Sequence, residues 1–536
     1  MLKVNSSNRD NFIALNYFGK KITYSKLFKR IEDCAKSFKK LGIKRGDKVT
    51  ICMPNIPEAI FCFYALNKIG AISSIIHPLS AEKEIEYYLN ISESKMIVTI
   101  DLALKRINNV IDKTNVKNVV VVSVKQSMPI SLKLGYSVTK RKKIKSQNNS
   151  DAIICWNDFI TMGTNYSKPT EVFTTGNESA VILYSGGTSG TPKGVVLTNL
   201  NFNAVALQSV AACNCLKEKD KVLSIMPIFH GFGLGICVNT VLNFGGCAVI
   251  QPTFSSKTFD KLLNKYKPNV IAGVPTLYEA LLRNENIKNM DLSYLKCIIS
   301  GGDTLPVSLK NKVDNFLKEH GANVQIREGY GLTECVTGSC LTPINYYKQG
   351  SIGIPYPDTY YKIVKPGTEE ELDYNIDGEI VLSGPSVMRC YLNDEKETNN
   401  VLRKHKDGLL WLHTGDLGCM DEDGFIYFRQ RIKRMIVSSG YNIYPQHIEN
   451  VLNQLPLVEM SCVVPKPHQY KGQVVKAYII LKDNIAPTED CQQKIMRSCE
   501  KELPRYSMPY EIEFVKEFPK TLVGKIAYTK LMEDKR

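Results

Sequence analysis

The 536-residue chain predicts an α/β protein: a large N-terminal domain of mixed and parallel sheets with crossover helices and a β-rich subdomain, then a small α+β domain. Three observations predict it. Ahead of Gly353, apolar strand-like runs alternate with helices of period 3.6, the pattern of parallel sheets joined by crossovers. From Gly353 the texture changes to short strands separated by Pro-Gly and Asp-Gly turns. Beyond Arg431 about a hundred residues of mixed helix and strand follow, enough for a compact domain. The length agrees, because single cores rarely grow past about 250–300 residues.

In order along the chain, "YSKLFKRIEDCAKSFKKLG" is the clearest helix, with Leu27, Ile31, Ala35 and Phe38 on one face and Gly42 as its stop. The strand-like runs are "DKVTICM", "KMIVTI", "VKNVVVVSV", "VLSIMP", "CAVIQP", "PNVIAGVP" and "LKCIISGG". Between them, "SAVILYSGGTSGTPKGVVLTNLNF" reads as strand, loop, short strand and a helix capped by Thr198 or Asn199. Past Gly353, hairpins are expected in "YYKIVKPGTEEELDYNIDGEIVLSG" and "GCMDEDGFIYFRQR". The last unit carries the helices "YPQHIENVLNQLP" and "QQKIMRSCEKEL" around the strands "SCVVPK" and "VVKAYIIL". The start lacks an apolar core behind a basic leader, and the apolar runs are too short to span a bilayer, so a cytoplasmic protein is expected.

An apolar content of 43% with 23% charged residues excludes a disordered or fibrous chain. The net charge of +16 raises nucleic acid as a partner, since clustered Lys and Arg displace counterions from phosphates. The scatter of the lysines argues against it. The one dense run, "KRKKIK" at 140–145, leads into "SQNNSD" and reads as a solvated loop, and a basic chain also suits anionic small substrates. Sixteen cysteines without a CxxC pair, many inside apolar stretches, read as buried thiols rather than a disulfide framework.

The stretch "YSGGTSGTPKG" concentrates backbone freedom and donors. Gly186, Gly187, Gly190 and Gly194 let successive amides turn inward and cup an anion. Ser185, Thr188, Ser189 and Thr191 add hydroxyls, and Lys193 adds a point charge. It is not the Walker form, which puts Gly-Lys-Ser/Thr directly before a helix. On residues alone, a polyphosphate cradle and a flexible surface connection carry similar weight.

Other stretches invite chemistry with a plain alternative each. "EGYGLTE" at 328–334 offers Thr333 and Glu334 on a glycine-bounded loop, suited to Mg²⁺ beside phosphates or to a solvated turn. "ISGGDTLP" brings backbone close to a flat ring at Gly301 and Gly302, or makes an ordinary strand-to-helix turn. "WLHTGDLG" places Asp416 where a carboxylate could accept both ribose hydroxyls, or in a common turn. In "MPIFHGFGLG", His230 stands among aromatics as a structural histidine would. Lys525, in "FPKTLVGKIAY", is compositionally one lysine among many.

Taken together, in this order from about residue 22 to 530, these motifs resemble the adenylate-forming superfamily: acyl-CoA synthetases, nonribosomal peptide adenylation domains and firefly luciferase, whose phosphate signature is YTSGTTGxPKG. Gly186 stands where Ser is commonest, a variant similar to fatty acyl-CoA ligases. The resemblance implies that Ser185, Gly186, Gly187, Thr188, Ser189, Gly190, Thr191 and Lys193 hold ATP phosphates. It implies that Tyr330 and Gly331 lie against adenine, with Thr333 near phosphate and Glu334 as the magnesium partner. Gly301, Gly302 and Asp303 become the nucleotide wall, although Asp303 stands where Ala is more usual. Asp416 becomes the ribose carboxylate and Arg431 its partner. His230, Gly231 and Phe232 flank the acyl channel, and the absence there of the Asp that binds an amino acid's ammonium makes amino acids poor candidates.

The resemblance further implies the domain plan: a large AMP-binding domain at 1–430 with its β-rich part at about 353–430, a hinge at 431–433 containing Lys433, and a small mobile domain at 434–536. Gly440, in "SSGYNIYPQHIE", belongs to the loop that enters the site for thioester formation. Lys525 is implied as the catalytic lysine of adenylation. Like charges about 4 Å apart repel by about 4 kcal/mol at an effective dielectric of 20, which a bridging cation offsets.

The implied reaction activates a carboxylic acid, preferably a fatty acid, with ATP and Mg²⁺ and passes it to coenzyme A. The alternatives are an aryl acid, an acyl carrier protein's pantetheine as acceptor, a luciferase-like oxygenase, or an inactive nucleotide-binding relative. Neither nucleic acid nor a transmembrane segment is expected, and peripheral membrane contact is compatible with this reading.

Overall fold

The computed structural model describes residues 1–129, 132–133, 152–185, 192–439, 441–520 and 526–533. Among them lie four sheets. One, of eight strands, runs in spatial order Cys390–Tyr391, Lys193–Thr198, Ser179–Ser185, Ile72–Ile75, Lys48–Cys52, Met96–Ile100, Asn118–Val122 and Ile153–Cys155. Its interior pairs are parallel, as the alternation of strands and helices predicts. The second, of nine strands, is parallel from Ile326–Tyr330 through Cys297–Gly301, Val270–Gly273, Lys221–Ser224 and Cys247–Ile250 to Ile13–Tyr17. The nine-stranded sheet turns antiparallel at both edges and the eight-stranded sheet at the edge formed by Ser179–Ser185, Lys193–Thr198 and Cys390–Tyr391; where a short loop joins neighbours directly, as between Tyr17 and Lys20, no crossover helix is needed.

Helix Tyr24–Lys40 begins at Thr23, whose side chain accepts from the Lys26 amide, and buries Leu27, Ile31, Ala35 and Phe38. Gly42, at φ +81°, turns the chain out of it. Helix Asn199–Cys213 starts on Thr198: its Oγ1 accepts from the Asn201 amide at 3.2 Å while the Asn201 side chain accepts from the Thr198 amide at 2.7 Å. Of the two expected caps, Thr198 is the one used. Buried Arg327 closes the helix's far end, donating to the carbonyls of Ala212 and Cys213 at 2.8 and 2.9 Å, a cation where the helix dipole is negative.

The third sheet joins Tyr360–Val364, Gly378–Ser383, Leu410–Met420 and Leu402–Lys404, with Ile426–Arg431 paired to Leu410–Met420. Pro366-Gly367 and Asp423-Gly424 make the expected turns, with both glycines at positive φ. Asp377-Gly378 does not: Gly378 opens a strand, because a Cβ there would lie 2.5 Å from the Val364 carbonyl oxygen. Nor is this region wholly separate. Ile354–Pro355 pairs into the nine-stranded sheet and Cys390–Tyr391 into the eight-stranded one.

A fourth sheet, Tyr441–Ile443, Ile436–Ser438, Gly472–Leu481 and Val458–His468 with Glu511–Phe514 alongside, carries helices Pro445–Gln454 and Glu489–Glu502. It has its own core, including Ile448, Leu452, Val463, Ile479 and Ile495. All sixteen cysteines are free thiols and most are buried. Among the described residues no helix is long and apolar enough to cross a membrane. The basic run at 140–145 lies outside the described residues.

Candidate active site

The C-terminal ends of the parallel strands, the hairpin 410–431 and the last segment of the chain enclose one cavity of about 1420 Å³. Ligand sites gather at such strand ends. Ser185, at the end of its strand, lines it, as does Lys193. Gly186, Gly187, Thr188, Ser189, Gly190 and Thr191 lie outside the described residues, and so do Gly440 and Lys525.

One wall is built from adjacent parallel strands. Cys297–Gly301 and Ile326–Tyr330 run in register, Gly301 beside Gly329, and a Cβ on Gly301 would sit 3.0 Å from the Gly329 carbonyl oxygen. Gly302 follows at φ +82°. Asp303 also lines the cavity, its carboxylate accepting from the Thr304 amide at 2.9 Å. Gly331 has no room for a side chain, since its Cβ would lie 2.4 Å from the Thr337 backbone.

The ribose candidates come together by strand register. Asp416 and Arg431 are direct partners across the hairpin, and the Arg431 Nε lies 3.4 Å from the buried Asp416 Oδ1. Tyr330 donates to the other carboxylate oxygen at 2.6 Å. The Asp416 charge holds the Arg431 guanidinium above its ordinary range. Burial, and then the Asp416 charge, push the Tyr330 phenol well up. Behind the turn, the Gly415 amide donates to Glu379 at 3.1 Å, and His413 Nδ1 meets the second Glu379 oxygen at 3.0 Å.

Thr333 and Glu334 form a single 3₁₀ turn, Thr333–Cys335. Glu334 accepts from the Tyr391 hydroxyl at 2.7 Å. Lys193 is ion-paired with Glu397 and lies 5.0 Å from the Tyr391 ring centre. Three charges of the cavity lining, Glu397, Lys193 and Glu334, are thus linked through the neutral Tyr391 phenol.

His230 and Phe232 line the cavity, and Phe232 begins a π-helix, Phe232–Thr240, a winding frequent at functional sites. Gly231 is not a lining residue; it gives room to Thr337, which its Cβ would approach to 2.9 Å. Val336 and Thr337 both hold positive φ, 55° and 61°, a strained conformation for β-branched residues. The same cavity has an apolar lining that includes Leu216, Val222, Cys237, Val241, Phe244 and Val270.

The small domain reaches the same cavity. Lys520, Ile526, Ala527 and Tyr528 line it, on either side of Lys525. Lys520 bridges to Ile526, and the Ala527 amide donates to the Pro519 carbonyl at 2.7 Å. Lys433 falls in the single turn Ile432–Arg434 between the third and fourth sheets.

Several site residues escaped the sequence reading. Asn55 pins the His230 loop, donating to the Met226 carbonyl at 2.8 Å and accepting from the Ile228 amide at 2.9 Å. Glu328, inside a quoted motif but given no role there, is buried in the cavity wall, and burial pushes its carboxyl up to about 8. Tyr391, Glu397 and Glu379 had no signal beyond being polar residues in strand-rich sequence.

A profile of the AMP-binding enzyme family matches residues 2–392, and that of the AMP-binding enzyme C-terminal domain matches 447–525. The long-chain-fatty-acid–CoA ligase of Bacillus subtilis (strain 168) is 34% identical over 531 residues, covering 97% of this chain and 91% of the relative. The enzyme of that name from Salmonella typhimurium is 32% identical over 523 residues, covering 95% and 90%. Among solved structures, ATP-bound MatB from Rhodopseudomonas palustris has a TM-score of 0.85 at 23% identity, covering 99% of this chain and 98% of that one, a likeness of fold. Two profiles in the expected order, relatives aligned along nearly the whole length, and a cleft where the motif residues converge lead to one conclusion: the chain belongs to the AMP-binding enzyme family.

Proposed function

We propose that the protein is an AMP-forming acid–CoA ligase that activates long-chain fatty acids. One observation carries this reading: a single cavity is lined both by the polar residues Lys193, Glu334, Asp416 and Arg431 and by the apolar residues Leu216, Val241 and Phe244, which we read as the arm that takes the acyl chain. The names of the curated relatives support the substrate class. In the first half-reaction a carboxylate oxygen attacks the α-phosphorus of ATP, the acyl–O–P bond forming as the bond to pyrophosphate breaks. In the second, the CoA thiol loses its proton and attacks the acyl carbonyl; the C–S bond forms, the acyl C–O bond breaks and AMP leaves.

Ser185, Lys193 and the 186–191 loop hold the phosphates, Asp416 and Arg431 the ribose, and Gly301, Gly302, Asp303 and Tyr330 the adenine. Lys193 exchanges Glu397 for phosphate as it does so. Glu334 suits magnesium: a hard oxygen donor beside phosphates, where Mg²⁺ keeps waters and needs only one or two carboxylates. Among the described residues no group of three or more His, Cys, Asp or Glu could hold a metal alone, which fits an ion brought by its nucleotide. Held there by Glu334, Mg²⁺ would neutralise phosphate charge. Lys525 offsets the repulsion between acid and triphosphate. Residues 1–430 and 434–536 turn about 431–433, withdrawing Lys525 and presenting Gly440 for the thiol. The free, mostly buried cysteines support a cytoplasmic setting.

ATP–pyrophosphate exchange across saturated acids of graded length tests the reading. Each buried methylene contributes about 0.8 kcal/mol, so KM should fall about fourfold per carbon until the arm is full. Exchange with aryl but not fatty acids would overturn the substrate assignment, and thioester on a carrier-protein pantetheine but not on CoA would overturn the acceptor.

A further inference from the structure

We infer that Arg434 is a positioning residue for adenylation, a clip that ties the proposed hinge to the segment bearing Lys525. This rests on the reading of Lys525 above. Arg434 follows Lys433 directly, and its guanidinium is held on two sides. Its Nη2 donates to the buried Glu449 carboxylate at 2.7 Å and to the Val463 carbonyl at 3.3 Å. Its planar face lies 3.7 Å from the centre of the Tyr528 ring. Such stacking suits Arg far better than Lys, because the guanidinium is flat, delocalised and weakly hydrated.

Tyr528 stands three residues after Lys525. It packs on the small cluster of Cys462, Val464, Tyr478 and Phe518, and the helix it opens, Tyr528–Glu533, is anchored where Tyr478 donates to the Leu531 carbonyl at 3.1 Å. Glu449 is fixed in turn, accepting from the Val463 amide at 2.8 Å. Arg434 and Tyr528 both line the cavity. A chain of contacts therefore runs from the residue after the hinge, through a stacked cation, to Tyr528, three positions beyond Lys525. Displacing a catalytic group by 1 Å is enough to cost about 10²-fold in rate.

The clip acts on the half-reaction that uses Lys525 and not on the other. The test measures ATP–pyrophosphate exchange and, separately, thioester formation from supplied acyl adenylate and CoA, in the full-length enzyme. Arg434→Ala and Tyr528→Leu should each slow exchange by at least about tenfold while thioester formation stays within about twofold of wild type. Tyr528→Phe, which keeps the ring face, should restore the exchange that Tyr528→Leu loses, and Arg434→Lys should restore it only in part. Unchanged exchange in Arg434→Ala, or equal losses in both half-reactions, overturns the proposal. If Arg434→Ala does not fold, the Leu and Phe variants at 528 decide the matter by the same split. Lys525→Ala is run beside them. Undiminished exchange there overturns the reading of Lys525 itself, whereas its loss with Arg434 variants unaffected overturns only the clip.

Discussion

Glu328 shows how one side chain ties the site to stability. Burial raises its carboxyl to about 8 in the folded chain, from an ordinary value of 4.5, while its Oε1 accepts from the Leu305 amide at 3.3 Å. Between those two pH values the folded chain binds a proton that the unfolded chain has released, so stability is full below 4.5 and falls as pH rises through the folded value. Glu328→Gln keeps an acceptor for Leu305 and removes the titration. Its melting temperature relative to wild type should therefore climb between about pH 5 and pH 8.5, and parallel melting curves across that range would show the carboxyl ionised throughout. The residues legible in sequence were those inside short contiguous motifs, such as Glu334, Asp416 and Arg431. Their partners were not, because contact between them needs the fold: Glu397 reaches Lys193 from 204 positions away, and Asn55 reaches the carbonyl of Met226 from 171.

At the level of elements, strands and helices with strong periodicity were legible and their edges were not. All four residues expected on the buried face of Tyr24–Lys40 are buried, with Tyr24, Cys34 and Ser37 beside them, since apolar spacing and burial are one property. The antiparallel edge pairs leave no such trace, because a strand's sequence does not say which way its neighbour runs. Asp377-Gly378 misleads for a similar reason: the glycine answers to a carbonyl on the adjoining strand rather than to a turn. Packing of the π-helix on the strained loop gives an element-scale prediction. A Cβ on Gly235 would lie 2.7 Å from the Val336 side chain, so Gly235→Ala should destabilise by about 1–3 kcal/mol through overpacking. It should also raise the KM for fatty acid by displacing Thr337, with the KM for ATP little changed. A melt and two substrate titrations check both parts.

Across the whole molecule, the plan of a large α/β unit followed by a small α+β unit was readable from texture alone. The meeting of the two was not, since it depends on single contacts such as the Arg283–Glu459 ion pair and the Tyr528 segment at the cavity. That meeting carries the largest functional prediction. Lys525→Ala should suppress pyrophosphate exchange by about 10² or more while sparing thioester formation from supplied acyl adenylate; loss of both steps to the same degree would assign Lys525 to binding rather than to the first step. The returning strands Ile354–Pro355 and Cys390–Tyr391 have a consequence for protein engineers. The stretch between 353 and 430 cannot be lifted out as a cassette, because its first strand and one in its middle finish the borders of two other sheets and Tyr391 holds Glu334. A chimera spliced at the change of texture would orphan those borders, whereas a crossover placed after the last residue of the hairpin, Arg431, keeps every borrowed edge with its owner.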